Sequence, residues 1–289
     1  AGNELNLSGA ITSAEKDTVL TAGKDVNINA VKDLYSEEST VGSKGGSYYN
    51  HNRQVDETVK GTNIAGQENI TVTSGSNINI KGSNITSEAG KASLTAKENV
   101  NIENENEYHE RLHELHEESH GFLSSKTTDI YDYSNIDAVI GSNISAGSID
   151  ITSGKDTNVK ASSVVADNDV NIKAGGSINT EAAKETSESE YMKQVKKSGL
   201  LSGGGFGFTI GKEKQKDQYA NQNTENIGST IGSLEGSINM EANKDVAVKG
   251  SDIIAGKDIN ITGQNVDIEN TENIYNAQEH HEYKRSGLT

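Results

Sequence analysis

Apolar residues in this chain come in short triplets with a polar centre: Ile70–Val72 (ITV), Ile78–Ile80 (INI), Val100–Ile102 (VNI), Ile149–Ile151 (IDI), Val170–Ile172 (VNI) and Ile259–Ile261 (INI). Alternation over three residues predicts a very short strand with two side chains on one face. Turn-forming stretches such as SGS, AGK, KGS and AGG separate the triplets. The triplets return at a fixed step: Ile70 and Val72 recur 22 residues later as Ala92 and Leu94, and Ile149 and Ile151 recur 21 residues later as Val170 and Ile172. Three short strands and three corners in about 21 residues make one rung of a parallel β-helix. One rung cannot bury two-residue strand faces. Rungs stacked about 4.8 Å apart pair their backbones and align Ile and Val into inner ladders.

The pattern therefore predicts an all-β chain, a solenoid of about eight rungs running from Leu5 to Ile268 and about 40 Å long. The inner ladders are expected to hold Val26, Ile28, Ile70, Val72, Ile78, Ile80, Leu94, Val100, Ile102, Ile149, Ile151, Val170, Ile172, Ile238, Val246, Val248, Ile259 and Ile261. The triplet centres Asn27, Thr71, Asn79, Asn101, Asn171 and Asn260 should face outward. Asn or Asp before the triplets, as at Asp25, Asn77 and Asn99, suits sharp corners, because these residues tolerate left-handed backbone and bond locally to it.

Rungs of two kinds alternate. In plain rungs the third strand follows the second within five residues, as in Ile80–Ile85, Val159–Val164 and Val248–Ile253. In the others it appears only after 36, 42 or 51 residues, at Ile64, Ile144 and Ile231. Each excursion returns on a G-S/T-x-Ile segment, so all leave from one corner and should project from one side of the rod. The insertions span about 31–60, 105–140, 181–227 and 269–289, the last reading as the start of a fourth. The whole chain, 1–289, reads as one β-helix domain and as a piece of a longer chain, since AGNELNLSGA has no basic n-region and no h-region.

Composition sharpens the division. All ten Tyr, all three Phe, all seven His and all three Arg fall in the insertions. The rungs are scaffold, and the insertions hold the chemical diversity. Ile and Val together number 43 against 12 Leu, which favours strands over helices. Zero Pro suits ladders that need every backbone N–H. Zero Cys excludes a disulfide framework and thiolate metal sites. The net charge of −17 argues against nucleic acid as a partner, and no apolar run is long enough for a transmembrane helix.

The segment SGKDTNVKASSVVADNDVNIKAGGSINTEAAKETSESEY, followed by KKSGLLSGGGFGFTIGKEKQKDQ, resembles the haemagglutinin-repeat region of filamentous haemagglutinin-type exoproteins, the large partners of two-partner secretion systems. It is also similar to the repeat region of contact-dependent growth inhibition toxin-delivery proteins. The resemblance implies a right-handed helix and export through an outer-membrane transporter. It also implies a place at the bacterial cell surface, outside the outer membrane, as a secreted adhesin or virulence filament. The partner it implies is a receptor or glycan on host or bacterial cells. Adhesion is the leading reading, toxin delivery into target bacteria the alternative, and a β-helix polysaccharide lyase or hydrolase a minor one.

No catalytic residue or cofactor is expected. His116-Glu117-Glu118-Ser119-His120 matches H-E-x-x-H, which on a helix would aim two imidazoles at one zinc. The surrounding ENENEYHERLHELHEESHGF reads as helical, with His109, His113, His116 and His120 in one stripe. No third ligand is placed, so His116 and His120 are only weak metal candidates. Leu200–Gly211 (LLSGGGFGFTIG) lacks the phosphate-loop spacing and reads as a hairpin with Phe206, Phe208 and Ile210 alternating. Polysaccharide cleavage needs clustered carboxylates, whereas the triplet centres are mostly Asn and Thr. The expected binding surface is the insertions, with Tyr48, Tyr49, Tyr108, Tyr131, Tyr133, Phe206, Phe208 and Tyr219 as contacts, because aromatic side chains give broad area at low entropic cost.

Overall fold

The computed structural model describes residues 1–203 and 207–288. Every regular element among them is a strand. Three parallel sheets run along a rod. The first has eight strands, from Leu5–Ser8 through Val26–Asn29, Ile78–Lys81 and Val100–Glu103 to Val266–Glu269. The second carries Ile70–Ser74, Lys91–Ala96, Ser148–Ser153 and their equivalents, and the third Asn63–Gly66, Asn84–Ser87, Asn143–Ala146 and theirs, with seven strands each. This is the expected parallel β-helix.

Register pairing sets like on like, so that Leu94, Ile151 and Ile172 stack in one ladder and Ile28, Ile80 and Ile102 in another. These side chains are sealed from water and form one continuous core. Two of the expected inner residues depart from this. Ile259 is 46% exposed and Ile261 only half-buried. Their strand, Ile259–Thr262, is the outermost of its sheet, so no rung covers it.

The outward centres pay back the backbone spacing with side-chain bonds. Asn6, Asn27, Asn79, Asn101, Asn158 and Asn179 form an amide ladder in which each Nδ2 donates to the Oδ1 of the rung before, at 2.6–2.8 Å. A matching file runs Asp150, Asn171, Asn239 and Asn260 at 2.9–3.0 Å. The corner Asx residues differ from expectation. Among the described residues Ala161 is the one non-glycine at positive φ (42°), so the corner Asn and Asp are not left-handed. They bond across rungs instead: the Asn77 N–H and Nδ2 both donate to Asp25 Oδ1, and the Asn99 N–H and Nδ2 to Asn77 Oδ1. Stacking, rather than local turn geometry, accounts for these residues.

The exit corner is built to ignore whether an insertion is present. A column of hydroxyls, Thr62, Ser83, Ser142, Ser162, Ser229 and Ser251, runs along it. Each of the first five donates its backbone N–H to the next hydroxyl at 3.1–3.3 Å. In plain rungs the hydroxyl donates to the carbonyl two residues earlier, as Ser83 does to Lys81 (2.9 Å) and Ser162 to Lys160 (2.7 Å). In interrupted rungs it donates across the neck, Thr62 to Asn29 (2.7 Å), Ser142 to Glu103 (2.7 Å) and Ser229 to Glu181 (2.8 Å). Asn29, Lys81 and Glu103 are register partners, as are Lys160 and Glu181, so the same bond closes both kinds of rung. Glycine at 61, 141 and 228 follows from this crowding: a Cβ on Gly141 would lie 2.3 Å from the Ala161 carbonyl oxygen.

One ladder position is imperfect. Thr180 stacks between Val159 and Val248, and its Oγ1 is buried without a hydrogen-bond partner among the described residues. A buried hydroxyl without a partner costs on the order of 1 kcal/mol or more. Thr180→Val, nearly the same shape, is therefore expected to raise stability by about 1 kcal/mol, read as a higher melting temperature. A lower one would place an acceptor at that hydroxyl.

Candidate functional site

The insertions are paired hairpins. The first pairs Val31–Gly42 with Tyr48–Lys60, the second Glu105–Gly121 with Ser124–Ile140, and the third Ala183–Gly203 with Gly207–Ile227. A last strand, Ile274–Leu288, follows. They also pair with one another: Tyr48–Asp56 with His109–Glu117, Ser124–Asp137 with Thr186–Gly199, and Ile210–Thr224 with Ile274–Leu288. The result is a seven-stranded antiparallel sheet attached to the rod along the hydroxyl column. The expectation of insertions on one side is borne out, and they have merged into a single surface.

The helical reading of 105–120 is overturned. That segment is the strand Glu105–Gly121, paired on both sides. Helix-forming residues are a weak prior, and two full ladders of backbone hydrogen bonds outweigh it. The four-histidine stripe therefore does not exist. Alternation puts His109 and His113 on one face, and His116 and His120 on the other. His116 and His120 are four residues apart on one strand face, about 13 Å between Cα atoms, and both rings face the Glu118 carboxylate that lies between them (3.5 and 3.8 Å). Among the described residues no three His, Asp or Glu side chains converge as a metal site would require. The His116 ring instead bonds Asp129 through Nδ1 (2.6 Å) and faces Glu118 through Nε2 (3.5 Å). Of the glycine-rich segment, the described residues 200–203 and 207–211 pair in the third hairpin, with Leu200 opposite Ile210. Phe206 falls outside the described residues, and of Phe208 only its place in the strand Gly207–Ile227 is described.

Register and alternation divide the tyrosines between two faces. One face carries Tyr49, Tyr108, Tyr131 and Tyr133. There Tyr131 and Tyr133 stack at 6.4 Å, the Tyr49 hydroxyl donates to Glu114 (3.4 Å), and the Tyr108 hydroxyl donates to Glu110 (2.6 Å). Glu110 is buried and also takes an ion pair from Arg53 Nε at 3.1 Å. Its carboxylate accepting from Tyr108 holds that phenol above its ordinary value. The opposite face carries Tyr48 and Tyr219, both exposed. Tyr219 lies against Tyr191 at 6.2 Å and edge-on to His281 at 5.5 Å. Tyr191 and His281 were not among the expected contacts. Strand alternation would have flagged Tyr191, whereas His281 joins only through the non-local pairing of the last strand.

Between the tyrosines, histidines sit between carboxylates. His51 lies between Glu114 (3.1 Å) and Glu38 (2.9 Å), His109 between Asp56 (3.0 Å) and Glu107 (3.5 Å), and His281 between Asp217 (2.8 Å) and Glu279. Hydrogen bonds from Gln54, His109 and Arg111 hold the Asp56 carboxyl down to about 2. The bond to Glu114, and then that to Glu38, raise His51, and Asp217 followed by Glu279 raises His281. A histidine raised on folding stabilises the fold below its unfolded pKa of about 6.5 and loses that contribution as pH rises through its folded value. Wild type is therefore expected to lose more melting temperature than His51→Gln between pH 6 and pH 9. Equal losses would show that the His51 contacts contribute nothing. His51 joins the strands Val31–Gly42 and Glu105–Gly121 to its own, so the first hairpin should loosen first.

Fold and surface together define a solenoid repeat protein whose rod displays one composite sheet made from insertions in alternate rungs. The sequence profile of the hemagglutinin repeat matches residues 41–128 and 120–286, and the chain belongs to that family. It is 32% identical over its whole length to the tRNA nuclease CdiA-2 of Burkholderia pseudomallei (strain 1026b), of which it covers 9%. It is 36% identical over its whole length to the tRNA nuclease CdiA of Escherichia coli (strain STEC_O31), again covering 9%. Toxin CdiA of Yersinia pestis is 35% identical over 52% of the chain and 4% of its own length. The chain thus spans under a tenth of the length of each of these relatives. No solved structure matches.

Proposed function

We propose that the chain is a non-catalytic segment of a secreted bacterial surface filament, and that the seven-stranded side sheet is its contact surface with other cells. The observation that carries this is the pooling of separate insertions into one sheet. Residues 31–60, 105–140, 181–227 and 274–288 are far apart in sequence, yet the rod's repeat brings them edge to edge. Every Tyr, His and Arg lies on that sheet or its turns, while the rod faces repeat the same amides. A uniform rod offers no unique catalytic constellation, and the sheet offers area, aromatic side chains and charge. Export through an outer-membrane transporter, and a place outside the outer membrane, belong to this reading.

Relatives named as tRNA nucleases, and one named as a toxin, favour a second reading, in which the repeat region serves delivery of a toxin carried elsewhere in the same protein. The test is saturable binding of the fluorescently labelled chain to intact Gram-negative and epithelial cells, with and without prior stripping of surface protein or glycan. The proposal expects saturable binding that one of these treatments abolishes. Binding that never saturates, or none to any cell, would contradict it. Preference for bacterial cells supports the delivery reading over host adhesion.

A further inference from the structure

We infer that the outer end of the third hairpin and its neighbour form a docking site for an acidic polysaccharide, a linear chain of carboxylated sugars. This rests on the reading of the side sheet as a contact surface and names the chemistry that one part of it would recognise. In a chain of net charge −17, three lysines stand directly opposite one another on adjacent strands: Lys196 pairs in register with Lys214, and Lys214 with Lys284. Lys212 and Lys216 flank Lys214 on the same face of the sheet. Like charges directly opposite in a sheet are destabilising. Glu282 compensates part of this, pairing with Lys214 at 2.6 Å and also with Lys284, and Asp129 on the same face feels the charge of Lys196. Lys214 and Lys284 hold the Glu282 carboxyl down to about 2, so it is committed to them. Lys196 and Lys212 have no carboxylate within ion-pair reach among the described residues, which leaves the row with net positive charge.

The placement is as telling as the charge. Lys196 is thirteen residues beyond Ala183, where the hairpin strand begins, or roughly 40 Å out along it. Nearer the rod the same face is acidic, with Glu188 and Glu190 on the same strand and Glu110 and Glu114 further across. The outer end of the third hairpin and its neighbour thus carries a local positive patch, with these acids nearer the rod and Glu118 two strands across in the same row. The lysine row lies in an open groove of about 520 Å³. Hydroxyls share the groove: Ser125 and Ser198, hydrogen-bonded to each other at 2.7 Å, and Thr127 and Ser286 beside the ammonium groups.

Ammonium groups in a row with alcohols between them suit a ligand that alternates carboxylates and hydroxyls. Three strands about 4.8 Å apart span about 10 Å, the footprint of a few sugars of an extended chain. Among the described residues no aromatic side chain lines the groove. Just beyond it on the same face Leu200, Ile210 and Leu288 stand in register and exposed, so comparison with anionic vesicles separates the polysaccharide from a lipid surface.

The probe is polygalacturonate, with its fully methyl-esterified form as the uncharged control, titrated into the whole chain at 25 and 150 mM salt. The inference expects binding to the acid form that weakens at the higher salt, and at least tenfold weaker binding to the ester. Lys196→Gln/Lys214→Gln/Lys284→Gln should weaken binding at least tenfold. Lys196→Gln/Lys212→Gln removes only unpaired lysines, keeps the Glu282 pairs, and should weaken it severalfold without lowering the melting temperature. Undiminished binding by both variants, equal binding of acid and ester, or binding to anionic phospholipid vesicles but not to the polysaccharide would each overturn the inference. Cell attachment by the double variant separates this from the broader reading. If polygalacturonate does not bind but cells do, the contact surface stands and this ligand falls. If neither binds, both fall.

Discussion

Ile151→Asp is expected to destabilise the rod by at least about 4 kcal/mol, enough to remove the cooperative thermal transition or shift it far down. Ile151 is 1% exposed, in register between Leu94 and Ile172, in the middle strand of its sheet. A carboxylate there has no donor within the apolar ladder and no route to solvent. The cost should also spread: an unfolded middle rung leaves the rungs on both sides without a stacking partner, because a solenoid is held by nearest-neighbour contacts. Ile151→Val, which only trims one methylene, should cost about 1 kcal/mol. An Asp variant that melts like wild type would show that this side chain is not in the core.

The second large effect is expected from removing the middle hairpin. Deleting Asn104–Ile140 joins Glu103 to Gly141 and gives Ile102-Glu103-Gly141-Ser142-Asn143-Ile144, the spacing of the plain rung Ile80–Ile85. The Ser142 bond to the Glu103 carbonyl then becomes the ordinary plain-rung bond, as Ser83 already makes to Lys81. The rod should keep its β-type circular dichroism and a cooperative melt. The side sheet should split, because Tyr48–Lys60 loses His109–Glu117 and Ala183–Gly203 loses Ser124–Asp137. Amide exchange on those two newly exposed edges should accelerate at least tenfold, and attachment to target cells should fall by a similar factor. If the deletion unfolds the chain, the hairpin is structural. If the chain stays folded and attachment is unchanged, the sheet is not the contact surface.

The rod was legible in the sequence because its signals are local and repeated. A two-residue period inside a 21-residue period leaves little freedom, and it places Ile28, Ile80 and Ile102 in one ladder, as the register does. The exit corner was legible from the recurring G-S/T-x-Ile return, although the hydroxyl column that explains it was not recognised. The side sheet was only half legible. His109–His120 has helical spacing and good helix formers, and Leu112 and Leu115 suit one helical face. What makes it a strand lies elsewhere in the chain, at Asn52 on one side and Asp132 on the other. Pairing between hairpins separated by dozens of residues leaves no local trace. For the same reason the tyrosines read as one set although the sheet sorts Tyr48 and Tyr219 from Tyr49, Tyr131 and Tyr133.

The central claim is that separate insertions close into one sheet in a defined register, and the absence of cysteine allows it to be tested by cross-linking. Asn135 of the second hairpin pairs in register with Glu188 of the third. Register partners have Cα atoms about 4.5–5.5 Å apart, within disulfide range. The variant Asn135→Cys/Glu188→Cys should form an intramolecular disulfide rapidly under mild oxidation, identified by mass spectrometry of the linked peptides. Asn135→Cys/Ser189→Cys, with its side chains on opposite faces, should not. A disulfide in the first variant alone is the predicted result. Equal rates in both, or none in either, would contradict a composite sheet.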